Sequence, residues 1–244
     1  MVLRYKVYTN IGNREVNEDS VGDIEAERGH MFVVADGLGG HGHGEVASAE
    51  AVKTSLNLYA TGNDTDVIGK TFVLAQKNVM KLQEQDPGLA DMKTTMVSLI
   101  IENDQATWGH IGDSRLYFFR KGKLKKRTLD HSVPQMLVSM GEIKPEEIRG
   151  HDDRNRLLRV IGSPWESRSY EIAESLRLKK GDAFLLCTDG FWELIEEKIM
   201  QKLLKEAKSV EEWLVQMIDT VNTNGIGVNM DNNSAIAIWV DENE

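Results

Sequence analysis

The sequence predicts an α+β fold in which antiparallel sheet is covered by paired helices. Three observations carry this expectation. The central runs Thr95–Ile101, Ala106–Ile111 and Leu116–Arg120 are β-branched or aromatic, and the connections between them are too short for crossover helices. Two segments of helical spacing, Glu45–Tyr59 and Thr65–Leu82, form a block of their own before them. Strands and helices in separate blocks, rather than in strict alternation, favour α+β over a parallel doubly wound fold.

Taken in order, Leu3, Tyr5 and Val7 alternate with Arg4, Lys6 and Tyr8, the pattern of a half-buried strand. His30–Ala35 is an apolar run ending at Asp36-Gly37. The Thr65–Leu82 helix has Asn63 or Asp64 near its cap. The N-D, G-D-S and K-G-K connectors between the central runs read as hairpin turns. Ser132 followed by Gln135 reads as a capping box opening a helix through Met140, and Ser209 with Glu212 as a second one before Trp213, Leu214, Met217, Ile218 and Val221. Leu176–Cys187 returns to strand, and Ser234–Val240 closes the chain as another. No Pro-, Ser- or Gly-rich linker and no repeat divides the 244 residues, so a single domain over 1–244 is expected.

Lys plus Arg is 29 and Asp plus Glu is 39, giving 29 − 39 = −10. Such a chain repels nucleic acid and anionic membrane at long range. The one cysteine, Cys187, rules out an internal disulfide. The first residues lack an apolar h-region, and the longest apolar runs are too short to span a bilayer. A soluble cytoplasmic protein is expected.

Four short segments share one design. F-V-V-A-Asp36-Gly37, G-H-I-G-Asp113-Ser114, L-L-C-T-Asp189-Gly190 and N-M-Asp231-Asn232 each place a carboxylate beside an apolar run. A strand end holds such a group at the sheet rim, and the neighbouring glycine lets backbone or ligand come close. Taken singly, each Asp-Gly is also an ordinary turn dipeptide. If the four converge, they form a pocket of hard oxygen donors suited to Mg²⁺ or Mn²⁺. No Cys or His cluster with zinc spacing competes. The glycine-rich stretch from Asp36 to Ser48 could cradle phosphate, yet it fits neither G-x-x-x-x-G-K-[ST] nor G-x-G-x-x-G with an acidic partner. His41 and His43 within it lack a third soft ligand and read as exposed or hydrogen-bonded.

The ordered set resembles the compact bacterial form of the metal-dependent type 2C Ser/Thr protein phosphatases (PPM family). Arg14 with Asn17-Glu18-Asp19 is similar to the family's opening motif, and Asp36-Gly37 with the glycine loop to its second. Thr94-Thr95, Gly112-Asp113-Ser114-Arg115 with Asp130-His131-Ser132, Asp189-Gly190 and Asp231-Asn232 complete the series. The resemblance implies two stacked antiparallel sheets flanked by pairs of helices. It implies that Asp36 bridges two Mg²⁺ or Mn²⁺ ions, Gly37 offers its carbonyl, and Asp189 and Asp231 complete the pair. Glu18 and Asp19 would hold metal-bound waters, Asp113 would join Asp189 at a third, weaker position, and Arg14 would clamp the substrate phosphate. The implied reaction is hydrolysis of phosphoserine and phosphothreonine in proteins, opposing a Ser/Thr kinase; the sequence itself gives no sign of oligomerisation, so a monomer is expected. The segment 141–170 would be a flap beside the site.

The sequence departs from the pattern in four places. The gap before Arg14 is one residue short. Leu38 stands where many eukaryotic members have a histidine thought to protonate the leaving group, and leucine cannot do this. Ser234 replaces a threonine, and the segment from His151 to Asn155 lacks a proline. Three alternatives remain at this level: a phosphoprotein-binding pseudophosphatase, a phosphatase dedicated to one regulatory protein, and a nucleotide-binding module. Cys187, Trp192, Trp213, Trp239 and His110 read as packed core residues, and Lys121–Arg127 as a solvated basic hairpin edge.

Overall fold

The computed structural model describes residues 1–38, 42–62 and 66–241. His41 and the cap candidates Asn63 and Asp64 lie outside the described residues. The strands are β1 (Val2–Asn10), β2 (Asp19–Ala26), β3 (Gly29–Leu38), β4 (Lys93–Thr94), β5 (Met96–Glu102), β6 (Gln105–Ile111), β7 (Arg115–Arg120), β8 (Lys123–Arg127), β9 (Glu171–Ile172), β10 (Leu176–Arg177), β11 (Asp182–Cys187) and β12 (Asn233–Asp241). The helices are α1 (Gly44–Thr61), α2 (Val67–Gln85), α3 (Val133–Met140), α4 (Asp189–Trp192), α5 (Glu197–Glu206) and α6 (Val210–Asn224).

Two antiparallel sheets form the centre. One runs β1-β12-β11-β7-β8, the other β10-β6-β5-β3-β2, with β4 beside β3 and β9 beside β6. Phe32, Val34, Val97, Leu99 and Trp108 of the second sheet meet Leu116, Phe118, Phe184, Leu186, Ile236 and Ile238 of the first in a shared apolar layer. Alternation along each strand sends the other set of side chains outward, onto helices. Val33, Ala35, Met96 and Ile100 pack with Ala51, Phe72, Ala75 and Val79 of α1 and α2. Tyr117, Phe119, Leu185 and Ala237 pack with Met200, Trp213, Met217 and Val221 of α5 and α6. The order is helices, sheet, sheet, helices, the α+β sandwich that the resemblance implies.

Several local expectations change. The G-D-S connector is not a hairpin turn: β6 and β7 lie in different sheets, and Gly112–Ser114 carries the chain across. Gly112 has φ +93, and a Cβ there would stand 2.6 Å from the Thr95 side chain, so the corner needs glycine. Leu176–Cys187 is two strands rather than one, broken at Gly181 with φ 77, so that β10 and β11 also belong to different sheets. The cap of α2 is Asp66, which accepts from the Gly69 amide. Ser132 and Ser209 cap α3 and α6 as expected, through the Gln135 and Glu212 amides. Glu212 instead accepts from the Lys208 amide, so that capping box is half formed. Trp239 is partly exposed, whereas Trp192 and Trp213 are buried.

Residues 141–170 contain a short 3-10 turn, Pro145–Gly150, and are tied down by the bridges Ser132↔Leu157 and Thr94↔Ile161. Among the described residues, no helix is long and apolar enough to cross a membrane.

Phe184 is fully buried between the sheets, its ring 5.0 Å from Phe118 and 6.3 Å from Trp108. Phe184→Ala should cost about 3–5 kcal/mol, read as a shifted urea midpoint at unchanged slope.

Candidate metal centre

One rim of the sandwich collects the sequence-predicted carboxylates. Asp36 lies near the end of β3, Asp113 at the corner between β6 and β7, Asp189 two residues past β11 at the start of α4, and Asp231 shortly before β12. Together with Arg14, Glu18, Gly37, Leu38 and Lys93 they line a cleft of about 520 Å³. Asp19 is not in the cleft wall. It stands behind it, in register with Asp36 across the β2–β3 pair.

Backbone contacts hold these groups in place. Thr95 donates its amide to the Asp36 carbonyl at 2.9 Å, and Thr94 adds its hydroxyl at 2.8 Å. The Asp36 amide donates to Thr95 Oγ1 at 3.1 Å, and that oxygen meets Ser114 Oγ at 2.7 Å. The Thr-Thr pair thus joins the strand of Asp36 to the corner of Asp113. A Cβ on Gly37 would fall 2.3 Å from the Gly44 carbonyl, and one on Gly190 2.2 Å from the Asn232 carbonyl. Both Asp-Gly steps are therefore close approaches, as their sequence suggests. The Asp113 corner is clamped twice more. Gly112 donates its amide to His131 Nδ1 at 3.2 Å and accepts from the His131 amide at 2.9 Å. Trp192 donates its indole N–H to the Asp113 carbonyl at 3.0 Å. Its ring lies 3.3 Å below the buried Arg115 guanidinium, which is paired with Asp130.

Asn232 had no role in the sequence reading, yet it organises the opposite wall. Its Oδ1 accepts from the Glu18 amide at 2.8 Å, and its Nδ2 donates to the carbonyls of Ile11 and Val16. The loop carrying Arg14 is so fastened to the start of β12. Arg14 Nη2 donates to Asp231 Oδ2 at 2.7 Å.

The electrostatics are those of crowded anions. Burial pushes the Asp36 carboxyl well above the usual range, and Asp189, Asp19 and Asp113 add repulsion. Burial raises Asp113 strongly, with Asp189 next, and raises Asp189, with Asp231 next. Burial lifts Asp19 to about 7 against the hydrogen bonds from Ser234 and Thr188. Glu18 is raised by burial as well. Asp113 Oδ1 and Asp19 Oδ1 are buried with no hydrogen-bond partner. Buried carboxylate oxygens without donors, facing other carboxylates, are stable only with protons or cations among them. Hard oxygen donors of this number suit Mg²⁺ or Mn²⁺.

Comparison with known proteins agrees. The family model of protein phosphatase 2C matches residues 8–233. The chain belongs to the protein phosphatase 2C family. The serine/threonine phosphatase stp of Listeria monocytogenes is 30% identical over 220 residues, covering 87% of this chain and 86% of that one. The crystal structure of Stp1 from Staphylococcus aureus superposes with a TM-score of 0.90 at 24% identity, over 99% of this chain and 96% of that chain, which speaks for the fold. The PstP catalytic domain, solved in complex with two manganese ions, superposes at 0.82 with 28% identity over 98% and 99%. As a 2C phosphatase the chain is a metal-dependent hydrolase that acts on phosphorylated proteins.

A second group, His110, His131 and Glu171, also brings potential ligand atoms within 4.8 Å of one another. It lies apart from the cleft of the 2C phosphatase. His131 Nδ1 already accepts from Gly112, so the ring proton sits on Nε2, 3.3 Å from Glu171 Oε1. That nitrogen then has no lone pair for a cation. The two buried imidazoles stack at 4.6 Å and serve packing and the Gly112 clamp. His43, at the start of α1, has φ 72 and contacts Glu45 at 3.3 Å, as expected of an exposed loop residue.

A carboxylate held above its ordinary value keeps its proton to higher pH, so a cation must displace protons at low pH. The competition ends once pH passes the raised values, about 7 for Asp19. Apparent Mn²⁺ affinity should therefore climb with pH between about pH 5.5 and about pH 7.5. Calorimetry in two buffers of different ionisation enthalpy should show proton release at the lower pH, and pH-independent affinity without release would contradict the electrostatics.

Proposed function

We propose that the chain hydrolyses phosphoserine and phosphothreonine in proteins with two Mg²⁺ or Mn²⁺ ions, and that a third ion can join them. The observation that carries this reading is the convergence of Asp36, Asp113, Asp189, Asp231 and Arg14 on one cleft. The two manganese ions of the PstP structure support a pair. Asp36 would bridge them, Gly37 would give its carbonyl, and Asp189 and Asp231 would complete the set. Glu18 and Asp19 would orient bound waters, and Asp113 with Asp189 would hold the third ion. The unpartnered Asp113 and Asp19 oxygens support these assignments.

When bound, such a pair of ions lowers the pKa of a shared water and offsets charge on phosphate oxygens. The chain's own residues supply the rest. Arg14 is half-exposed at the cleft mouth, so its guanidinium can exchange the Asp231 oxygen for phosphate oxygens in a two-pronged grip. That grip strengthens as charge builds on the oxygens in the transition state. Asn232 keeps the Arg14 loop at a fixed distance from Asp231.

Residues 1–244 act as one catalytic domain in this reading, with 141–170 as a flap over the cleft. Its Asn155, Leu157, Val160 and Ser163 line the cavity. The enzyme would work as a cytoplasmic monomer against a cognate Ser/Thr kinase. The complete carboxylate set favours turnover over a pseudophosphatase that only binds phosphoproteins.

With Mn²⁺, p-nitrophenyl phosphate and a phosphothreonine peptide should both be hydrolysed, and EDTA should abolish turnover. Asp231→Asn should lower kcat/KM by about 100-fold. Folded protein inactive with every divalent cation would overturn the reading. Arg14→Ala should lower kcat/KM by about 100-fold while leaving Mn²⁺ affinity near that of the parent, because the guanidinium serves the phosphate.

A further inference from the structure

Leucine at position 38, which lines the cleft, cannot itself give a proton to the departing serine or threonine oxygen. The residue opposite it in the β3–β4 ladder is Lys93. Register partners in an antiparallel pair project to the same face, and Leu38 and Lys93 both line the cleft. The next pair, Gly37↔Thr94, faces the other way, and there Thr94 is fully buried with its hydroxyl on the Asp36 carbonyl.

Lys93 is thus fixed one residue from a group that grips the strand of Asp36. It is half-buried, and among the described residues its ammonium has no ion-pair or hydrogen-bond partner. A lysine at the wall of an acidic cleft without a committed carboxylate is free to serve a ligand. An alkylammonium is far more acidic than the alcohol an alkoxide would become. Proton transfer from it to a leaving alkoxide is therefore downhill.

We propose that Lys93 is a catalytic residue whose ε-ammonium donates a proton to the serine or threonine oxygen as it leaves phosphorus. The inference rests on the reading of the cleft as a phosphatase centre. In the step, a water oxygen bonds to phosphorus and its proton passes to solvent. The P–O bond to the substrate oxygen breaks, and that oxygen keeps the electron pair and takes a proton from Lys93. Solvent water then reprotonates the amine. Lysine here does what leucine at 38 cannot.

The test compares two leaving groups in the full chain with saturating Mn²⁺. A phosphothreonine peptide expels a strongly basic alkoxide, whereas p-nitrophenyl phosphate expels a weakly basic phenolate that needs no acid. Lys93→Met should lower the ratio of peptide kcat to p-nitrophenyl phosphate kcat by about 30-fold or more. Lys93→Arg, which keeps the charge but holds its proton too tightly, should restore the peptide KM and leave the ratio low. Calorimetric Mn²⁺ affinity checks that both variants keep the metal centre. An unshifted ratio in Lys93→Met, with the parent enzyme active, would overturn the role of Lys93 and leave the phosphatase reading intact. A parent inactive on both substrates would remove that reading, and the role of Lys93 with it.

Discussion

Mutual repulsion among buried carboxylates is the constraint around which this molecule is built. Asp36, Asp113, Asp189 and Asp19 stand close enough to raise one another's proton affinity, in a place where burial already disfavours charge. Folding pushes them together regardless, because each is attached to an apolar strand that belongs to one of the two packed sheets. Phe184 and Leu186 of β11 draw Asp189 to the rim, and Val33 and Val34 of β3 do the same for Asp36. Hydrophobic burial along the strands, of the order of 2 kcal/mol per large side chain, is summed over many residues, while the anionic strain is confined to one end. That strain is what gives the cleft its affinity for divalent cations.

The walls of the cleft come from distant parts of the chain, and a few polar side chains lock them together. Asn232 reaches from the last strand to the loop of Arg14 and to Glu18. The Thr94-Thr95 pair connects the strand of Asp36 with the corner of Asp113. His131 and Trp192 hold that corner from two other sides. These contacts are buried or half-buried, where a lost partner leaves an unsatisfied group. The site is consequently a rigid cage on sheet ends, with Asn155, Leu157, Val160 and Ser163 adding a further wall.

Much of this was legible in the residues. The carboxylates at Asp36, Asp113, Asp189 and Asp231 each adjoin an apolar run, a local pattern that needs no knowledge of topology. Gly37 and Gly190 announced the close approaches. The sheet change at Gly112–Ser114 was hidden, because a three-residue connector between apolar runs is the same string for a hairpin and for a corner. Only the positive φ of Gly112 against Thr95 decides it. The split of Leu176–Cys187 was hidden for the same reason. Asn232 reads as an ordinary turn residue until its partners 214 to 221 positions away are known. Lys93 became visible only through its register with Leu38, and a two-residue strand has no periodicity to reveal it. Helix α5 opens at Glu196 without a side-chain cap, so no start signal in the sequence marks it.

The central claim is that the crowded rim, rather than the His110–His131–Glu171 group, is where the divalent cations bind. Anomalous diffraction from crystals soaked in Mn²⁺ addresses it most directly. The account predicts two strong peaks flanking the Asp36 carboxylate, one also against Asp189 and Asp231, with a weaker third near Asp113. Peaks at the histidine pair, or none near Asp36, would contradict it.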